Sequence, residues 1–535
     1  MQFGSVGEIQ IFIAALLVSV ALLNALANWW QVPYPIVLVL GGLALGLVPG
    51  IPEIQLNPDL VLLIFLPPLL YSGAFFADLN ALRHDTRVIS LLSIGLVLAT
   101  AVVVGTVAHF AFDLPWAVSI ALGAIVGPTD PVAATTILRR LGIPRRIVNV
   151  LEGESLVNDA SALVIYKVAV AAAIGGGFSA AEAGGRFLLA AGGGLAIGLL
   201  AGYLIAAIRR RTEDPTTEIT ISLFSGYAAF LPADQIGASG VLAAVTCGVY
   251  LGWRAPELVT PTVRLQSFAV WEILVFLLNA TLFILIGLQL PVIVDGLKSS
   301  GISAGEAIAD GALVTALVIV TRLAWSFGVT GIIRALDRRP QQLERRAGWK
   351  LRVVAAWSGM RGAVSLAAAL ALPLSTDGGE QLLGRDLILF VTFAVILFTV
   401  VGQGLTLPLL IRRLDVGEDG SEEEHEELRA RLTAAGAALE RLDELSIEEW
   451  TQEDTVNRVR AMYEFRRRRF KVRAGKLDDE DGIEDRSIAY QRLMRELYAA
   501  QRGALVSLRD SGKISAEVMR RVERELDLEE ERLEV

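Results

Sequence analysis

Apolar residues in this chain do not alternate. They run on in blocks of about 18–25 residues, the length that crosses ~30 Å of hydrocarbon. These blocks predict about thirteen spanning helices, at 8–28, 34–49, 59–76, 87–111, 115–139, 148–175, 187–208, 217–231, 237–252, 268–289, 311–334, 351–373 and 387–411. The stretches 217–231 and 237–252 are short and interrupted by glycine, so they read equally as one re-entrant unit. Past Arg413 the blocks give way to Glu, Arg, Leu and Ala, a pattern that predicts charged helices broken near Gly475 to Gly482. Two domains follow: a transmembrane domain over 1–413 and a helical cytoplasmic tail over 414–535.

Basic residues test the count, because they gather on the cytoplasmic side of a membrane. Arg83 and Arg87 follow the third span, and Arg139, Arg140, Arg145 and Arg146 the fifth. Arg209, Arg210 and Arg211 follow the seventh, and Arg254 and Arg264 the ninth. The loop after the eleventh is richest, with Arg334, Arg338, Arg339, Arg345, Arg346, Lys350 and Arg352. Even-numbered loops hold little beyond Arg186, Lys298 and Arg385. An odd number of spans, with the N-terminus outside and the C-terminus in the cytoplasm, satisfies every loop. The expected location is the plasma membrane, crossed many times.

Composition agrees. At 535 residues and 53% hydrophobic, with a mean hydropathy of +0.54, the chain is more apolar than soluble proteins. Its first ten residues, Met1 to Gln10, lack Lys and Arg, so the first block reads as a retained helix rather than a signal peptide. Cys247 is the only cysteine, which leaves no intrachain disulfide and disfavours a thiolate metal site. His84, His109 and His425 lie far apart, without metal-ligand spacing. No cofactor and no nucleic-acid partner is expected. The formal charge of −9 is concentrated in the tail, with Glu422, Glu423 and Glu424 early and Glu529, Glu530 and Glu531 late. Within the tail, Arg466 to Lys471 is a basic cluster that suits anionic lipid or a plain solvated helical face.

Charges inside spans carry the chemistry, because each costs about 2.5–3.5 kcal/mol at mid-membrane even on lenient scales. In the fifth span, Pro128 and Pro131 remove two backbone donors and push the residues before them out of the α region. The expected result is an unwound stretch that gathers free carbonyls, the Thr129 hydroxyl and the Asp130 carboxylate. A second interruption, Ser358-Gly359-Met360-Arg361-Gly362, sits in the twelfth span. The two breaks are seven spans apart and so occupy matching places in halves of opposite topology, the pattern of a transporter built from inverted repeats.

In the sixth span Ser155 and Asp159 are four residues apart, with Asn158 beside them, so all three share one face. Burial disfavours the charged form of a carboxylic acid. One such group that binds either a proton or a cation is sufficient for exchange. Glu154, toward the adjoining edge, needs a cation, and Arg322 in the eleventh span is the expected partner in a structural pair. Arg361 is expected to replace backbone bonding lost at the break. Lys167 is expected to snorkel to the membrane surface, and Glu272 and Asn279 are candidates to line a cavity.

These residues also resemble a known family. Phe-Leu-Pro-Pro-Leu-Leu-Tyr (65–71), Thr-Asp-Pro-Val-Ala (129–133), Gly-Glu-Ser-Leu-Val-Asn-Asp-Ala (153–160) and Gly-Met-Arg-Gly-Ala-Val-Ser-Leu (359–366) match the NhaP-type branch of bacterial monovalent cation:proton antiporters, related to animal sodium/proton exchangers. The resemblance covers roughly 1–413. It implies an all-α polytopic fold with thirteen spans and two crossing discontinuous helices, homodimers, and an elevator-like motion. It implies that Asp159 is the principal carboxylate for Na+ and H+, assisted by Asp130, Thr129, Ser155 and Asn158. The Asn158-Asp159 pair resembles the electroneutral type, one proton against one cation, serving pH and sodium homeostasis. Lithium is a further expected substrate, and the same mechanism with potassium is a neighbouring reading. A channel would not need an exchangeable carboxylate beside paired breaks. An intramembrane enzyme is disfavoured, since no Gly-x-Gly-Asp or His-Glu-x-x-His run is present.

Overall fold

The computed structural model describes residues 6–49, 58–175, 180–212, 214–336, 348–416, 421–479, 482–531 and Leu533. Arg338, Arg339, Arg345 and Arg346 of the predicted basic loop lie outside them. Contacts divide the chain into two compact units, Met1–Glu418 and Asp419–Val535. Among the described residues the structure is helical, with one isolated bridge, Ser375 to Gln381, and no strand.

The first unit begins with α1 (Val6–Trp30), α2 (Tyr34–Gly46), α3 (Pro58–Phe75), the short α4 (Leu79–His84) and α5 (Thr86–Ala111). Next come α6 (Trp116–Ile125), α7 (Pro131–Arg140), α8 (Arg145–Gly175), α9 (Ala180–Arg209), α10 (Pro215–Gln235) and α11 (Gly240–Leu258). The unit ends with α12 (Pro261–Leu288), α13 (Leu290–Ser299), α14 (Ala304–Leu336), α15 (Trp349–Trp357), α16 (Ala363–Leu370) and α17 (Arg385–Leu414). Among the described residues seven helices are long and apolar enough to cross a bilayer; Tyr34–Gly46, Leu60–Phe75 and Trp116–Ile125 are shorter apolar helices. Every predicted span overlaps one helix or a pair of half-helices. The stretch read as a possible re-entrant unit is instead two separate helices, α10 and α11, which pack on each other and on α3.

Local chemistry sets several starts. Asp130-Pro131, Asp214-Pro215 and Thr260-Pro261 each place a capping side chain before a proline at the first helical turn. The capping oxygen accepts an orphan backbone N–H, and proline has none to lose there. Packing then sorts the helices into two groups. Helices α1, α2 and α12 pack together, and α3, α9, α10 and α11 continue that group. Helices α5, α6, α8, α14, α16 and α17 form the other. Within the first group α2 and α12 meet backbone to backbone: a Cβ on Gly42 would strike the Ile284 carbonyl, and one on Gly287 the Val39 carbonyl. Such close approach is how membrane helices gain dispersion contact without a hydrophobic drive between them.

The second unit holds α18 (Ser421–Leu445), α19 (Glu453–Arg473), α20 (Ile483–Asp510) and α21 (Ala516–Glu531). Helix α18 packs on α19 and α20 on α21. The break between α19 and α20 falls where Gly475 and Gly482 adopt positive φ, which only glycine enters without strain.

Candidate functional site

The two interrupted spans meet at their breaks. Helix α6 ends at Ile125 and α7 begins at Pro131; α15 ends at Trp357 and α16 begins at Ala363. Between them the Asp130 N–H donates to the Met360 carbonyl at 2.8 Å. Arg361, almost fully buried, donates Nε–H to the Val126 carbonyl at 3.1 Å and Nη1–H to the Gly359 carbonyl. Its own N–H donates to the Thr399 hydroxyl at 3.0 Å. A cation at the carbonyl end of α6 and a carboxylate at the amide end of α7 both oppose the helix dipoles that converge there. Asp130 Oδ1 accepts the Val132 N–H at 2.9 Å, so the same residue caps α7.

Glycines let the breaks close. A Cβ on Gly362 would overlap the Asp130 carboxylate, and one on Gly359 would overlap the Arg322 guanidinium. Only a side-chain hydrogen fits at either place.

A hydrogen-bonded chain runs behind the break. Asn158 Nδ2 donates to the Thr129 hydroxyl at 3.0 Å, and that hydroxyl donates to Glu154 Oε1 at 3.0 Å. Glu154 takes both terminal nitrogens of Arg322, with Nη2 to Oε2 at 2.8 Å. All four residues are 5% exposed or less. A buried pair of this kind stays charged only when its geometry is good, and a guanidinium gripping both carboxylate oxygens meets that need. Glu154 and Arg322 are therefore paired, and Arg361 bonds backbone.

Asp159 stands apart from this chain. It is 8% exposed, and among the described residues it makes no hydrogen bond or ion pair. The nearby cations are committed elsewhere: Arg322 to Glu154, Arg361 to carbonyls, and Lys167 to Asp234 at 3.3 Å. Lys167 thus forms an exposed ion pair. Asp159 instead lines a cavity of about 650 Å³, together with Asp130, Thr129, Ser155 and Tyr34. The cavity extends along α7 and α8 to Arg139 and Glu152, which pair at 2.6 Å, and its far wall is α12, including Glu272 and Asn279. The structure therefore separates the predicted residues. Asp159, Asp130, Ser155 and Thr129 share the cavity, whereas Asn158, Glu154, Arg322 and Arg361 do not line it.

Two features escaped the sequence reading. Thr399 lies in a π-helical turn, Phe398–Gln403, within α17 and anchors the second break. Polar Thr399 and Gln403 in an apolar run were its signal. The second is Arg209, read as a loop charge; it is 1% exposed and its Nε donates to Glu218 at 2.6 Å. Beside that pair Trp271 Nε1 donates to Ser222 Oγ at 3.0 Å. Glu218, Ser222 and Ser225 recur on one face of α10, a polar stripe legible at helical spacing.

The chain is similar to known exchangers over its membrane portion. The model for "Sodium/hydrogen exchanger, transmembrane" matches residues 13–413. An uncharacterized Na(+)/H(+) exchanger of Mycobacterium tuberculosis is 37% identical over 525 residues, which is 98% of this chain and 96% of its own. The Na(+)/H(+) antiporter ApNhaP of Aphanothece halophytica is 32% identical over 442 residues, covering 82% and 81% of the two chains. A sodium, potassium, lithium and rubidium/H(+) antiporter of Bacillus subtilis is 31% identical over 414 residues, 75% of this chain and 61% of that one. The fold is similar to that of the sodium proton antiporter MjNhaP1 of Methanocaldococcus jannaschii, with a TM-score of 0.59 at 21% identity over 77% of this chain and all of the other. The chain belongs to the sodium/hydrogen exchanger family, in its bacterial NhaP-type branch.

Proposed function

We propose that this antiporter exchanges one sodium ion for one proton at Asp159. The observation that carries the reading is that Asp159 is a buried carboxylate with no partner among the described residues, placed on a cavity at the junction of two helix breaks. Without a fixed cation, its charge is balanced only by what enters the cavity. A proton and a sodium ion compete for the same oxygens, so release of one permits the other to bind.

Asp130, Ser155 and the Thr129 segment complete the ion's oxygen shell on this reading. Asn158, Glu154 and Arg322 hold the helix that carries Asp159, and Arg361 balances the breaks. With Glu154 neutralised by Arg322, one carboxylate changes charge per cycle, which supports electroneutral exchange of one for one. Lithium, chemically close to sodium, follows as a second substrate, in line with the range named for the Bacillus subtilis relative.

The arginines around Arg139 to Arg146 support an inward-facing cavity, an external N-terminus and a cytoplasmic C-terminus in the plasma membrane. The protein acts as a homodimer on this reading, with transport in 1–413 and the helical region 414–535 in the cytoplasm. The assignment is tested by Asp159→Asn in proteoliposomes: exchange is lost while the protein remains folded. Wild-type exchange in that variant would remove Asp159 from the mechanism.

A further inference from the structure

Glu272 is used by none of the interactions above. It lies on α12 four residues inside the predicted span 268–289, and its side chain is exposed. Among the described residues it has neither an ion pair nor a hydrogen bond. A carboxylate inside a span is costly unless it meets water or a counter-charge. Glu272 is exposed and opens onto the cavity. Phe268, Glu272, Val275, Phe276 and Asn279 fall on one face of α12, and all line the cavity that ends at Asp159. Trp271, which also borders the cavity, turns its indole N–H to Ser222.

The cavity's other charges leave Glu272 a distinct role. At the opposite wall Arg139 and Glu152 cancel each other. Asp130 and Asp159 line the cavity as well. On the wall built by α2, α3 and α12, Glu272 is the only charged lining side chain among the described residues. That wall belongs to a different packing group from the helix that carries Asp159.

We propose that Glu272 is the cation-recruiting residue of the antiporter: a fixed negative charge on the α12 wall that concentrates hydrated sodium in the cavity before it reaches Asp159. A low-dielectric cleft lined by one sign of charge raises the local concentration of the opposite ion. Glu272 would therefore govern apparent affinity and leave turnover at saturation alone. The inference rests on Asp159 as the exchanging carboxylate.

The test is sodium-driven proton exchange in proteoliposomes with the full-length protein, read as KM and Vmax. Glu272→Gln should raise KM for sodium about twofold or more, the effect of one unit charge acting over roughly 10 Å in a watery cleft, with Vmax and the pH profile near wild type. Glu272→Asp should keep the low KM. Inert salt should raise the wild-type KM and leave that of Glu272→Gln unmoved. Glu272→Cys adds a chemical arm that does not depend on the glutamine variant folding. An anionic methanethiosulfonate should restore the low KM, and a cationic one should raise it further. The native Cys247 is fully buried, and reagent-treated wild type controls for it. A KM indifferent to the charge at 272, a cysteine that fails to react, or a Vmax lost with KM unchanged would each overturn the proposal. Normal exchange by Asp159→Asn would instead strike the site assignment beneath it, so the two failures are distinguishable.

Discussion

Asp130 and Met360 join the two helix breaks of this antiporter: the Asp130 N–H donates to the Met360 carbonyl at 2.8 Å. The bond ties the unwound part of one span to that of another roughly half the chain away. Arg361 then reaches from the second break to the Val126 carbonyl, at the end of α6. The junction is thus built from loose ends that satisfy one another, which is how irregular backbone survives at membrane depth.

Gly362 marks the tightest point of that junction. A Cβ there would overlap the Asp130 carboxylate, and forced overpacking typically costs about 1–3 kcal/mol. Gly362→Ala should therefore slow exchange sharply while the helical content stays intact. Exchange assayed beside circular dichroism checks this, and an alanine variant with wild-type rates would show that the carboxylate is free to move aside.

Glu154 and Arg322 are both buried and grip each other through two bonds. Removing one partner leaves a lone buried charge, at a cost of about 3–5 kcal/mol. Glu154→Gln and Arg322→Ala should each lower the melting temperature in detergent and the yield of folded protein. If either is as stable as wild type but inactive, the pair belongs to the transport step.

Thr129 is the middle link between Asn158 and Glu154. Thr129→Val leaves the buried Asn158 amide donor without its partner, worth about 1–3 kcal/mol, while Glu154 Oε1 keeps Arg322. Thr129→Ser keeps the hydroxyl. Thermal melts should rank wild type and serine together, above valine, with exchange rates in the same order.

Asp85, just before α5, is held by two nitrogens of Arg146 at the start of α8, at 2.9 and 2.6 Å. Burial pushes its pKa up, but the Arg146 bonds and nearby His84 outweigh this and leave it below the ordinary value. A carboxylate whose folded-state pKa is depressed contributes stability above its unfolded pKa and loses it as pH falls through the folded one. The melting-temperature gap between wild type and Asp85→Asn should therefore stay flat from about pH 5 to 8 and narrow only below about pH 4. A gap that closes well above pH 5 would contradict a depressed Asp85 pKa.

Much of this molecule is readable from its residues, and the exceptions have physical reasons. Pro128 and Pro131 announce the first break, because proline lacks an N–H wherever it stands. Glu154 and Arg322 are legible as a pair because buried charges need partners. Which oxygen faces which neighbour is not legible: Thr129 hydrogen-bonds Glu154 as well as lining the cavity, a matter of rotamer and approach. The Arg209-Arg210-Arg211 run reads as a loop, and nothing local says that Arg209 turns inward to Glu218. The start of α12 at Pro261, ahead of the predicted 268, follows from Thr260 capping a proline-led turn that hydropathy passes over.

The most direct measurement of the central claim is sodium-driven proton flux in proteoliposomes at two clamped membrane voltages, with Asp159→Asn alongside. One carboxylate serving two ligands predicts wild-type flux whose reversal point ignores voltage, and none in the variant. A reversal point that moves with voltage, or exchange that persists without the Asp159 carboxylate, would contradict it.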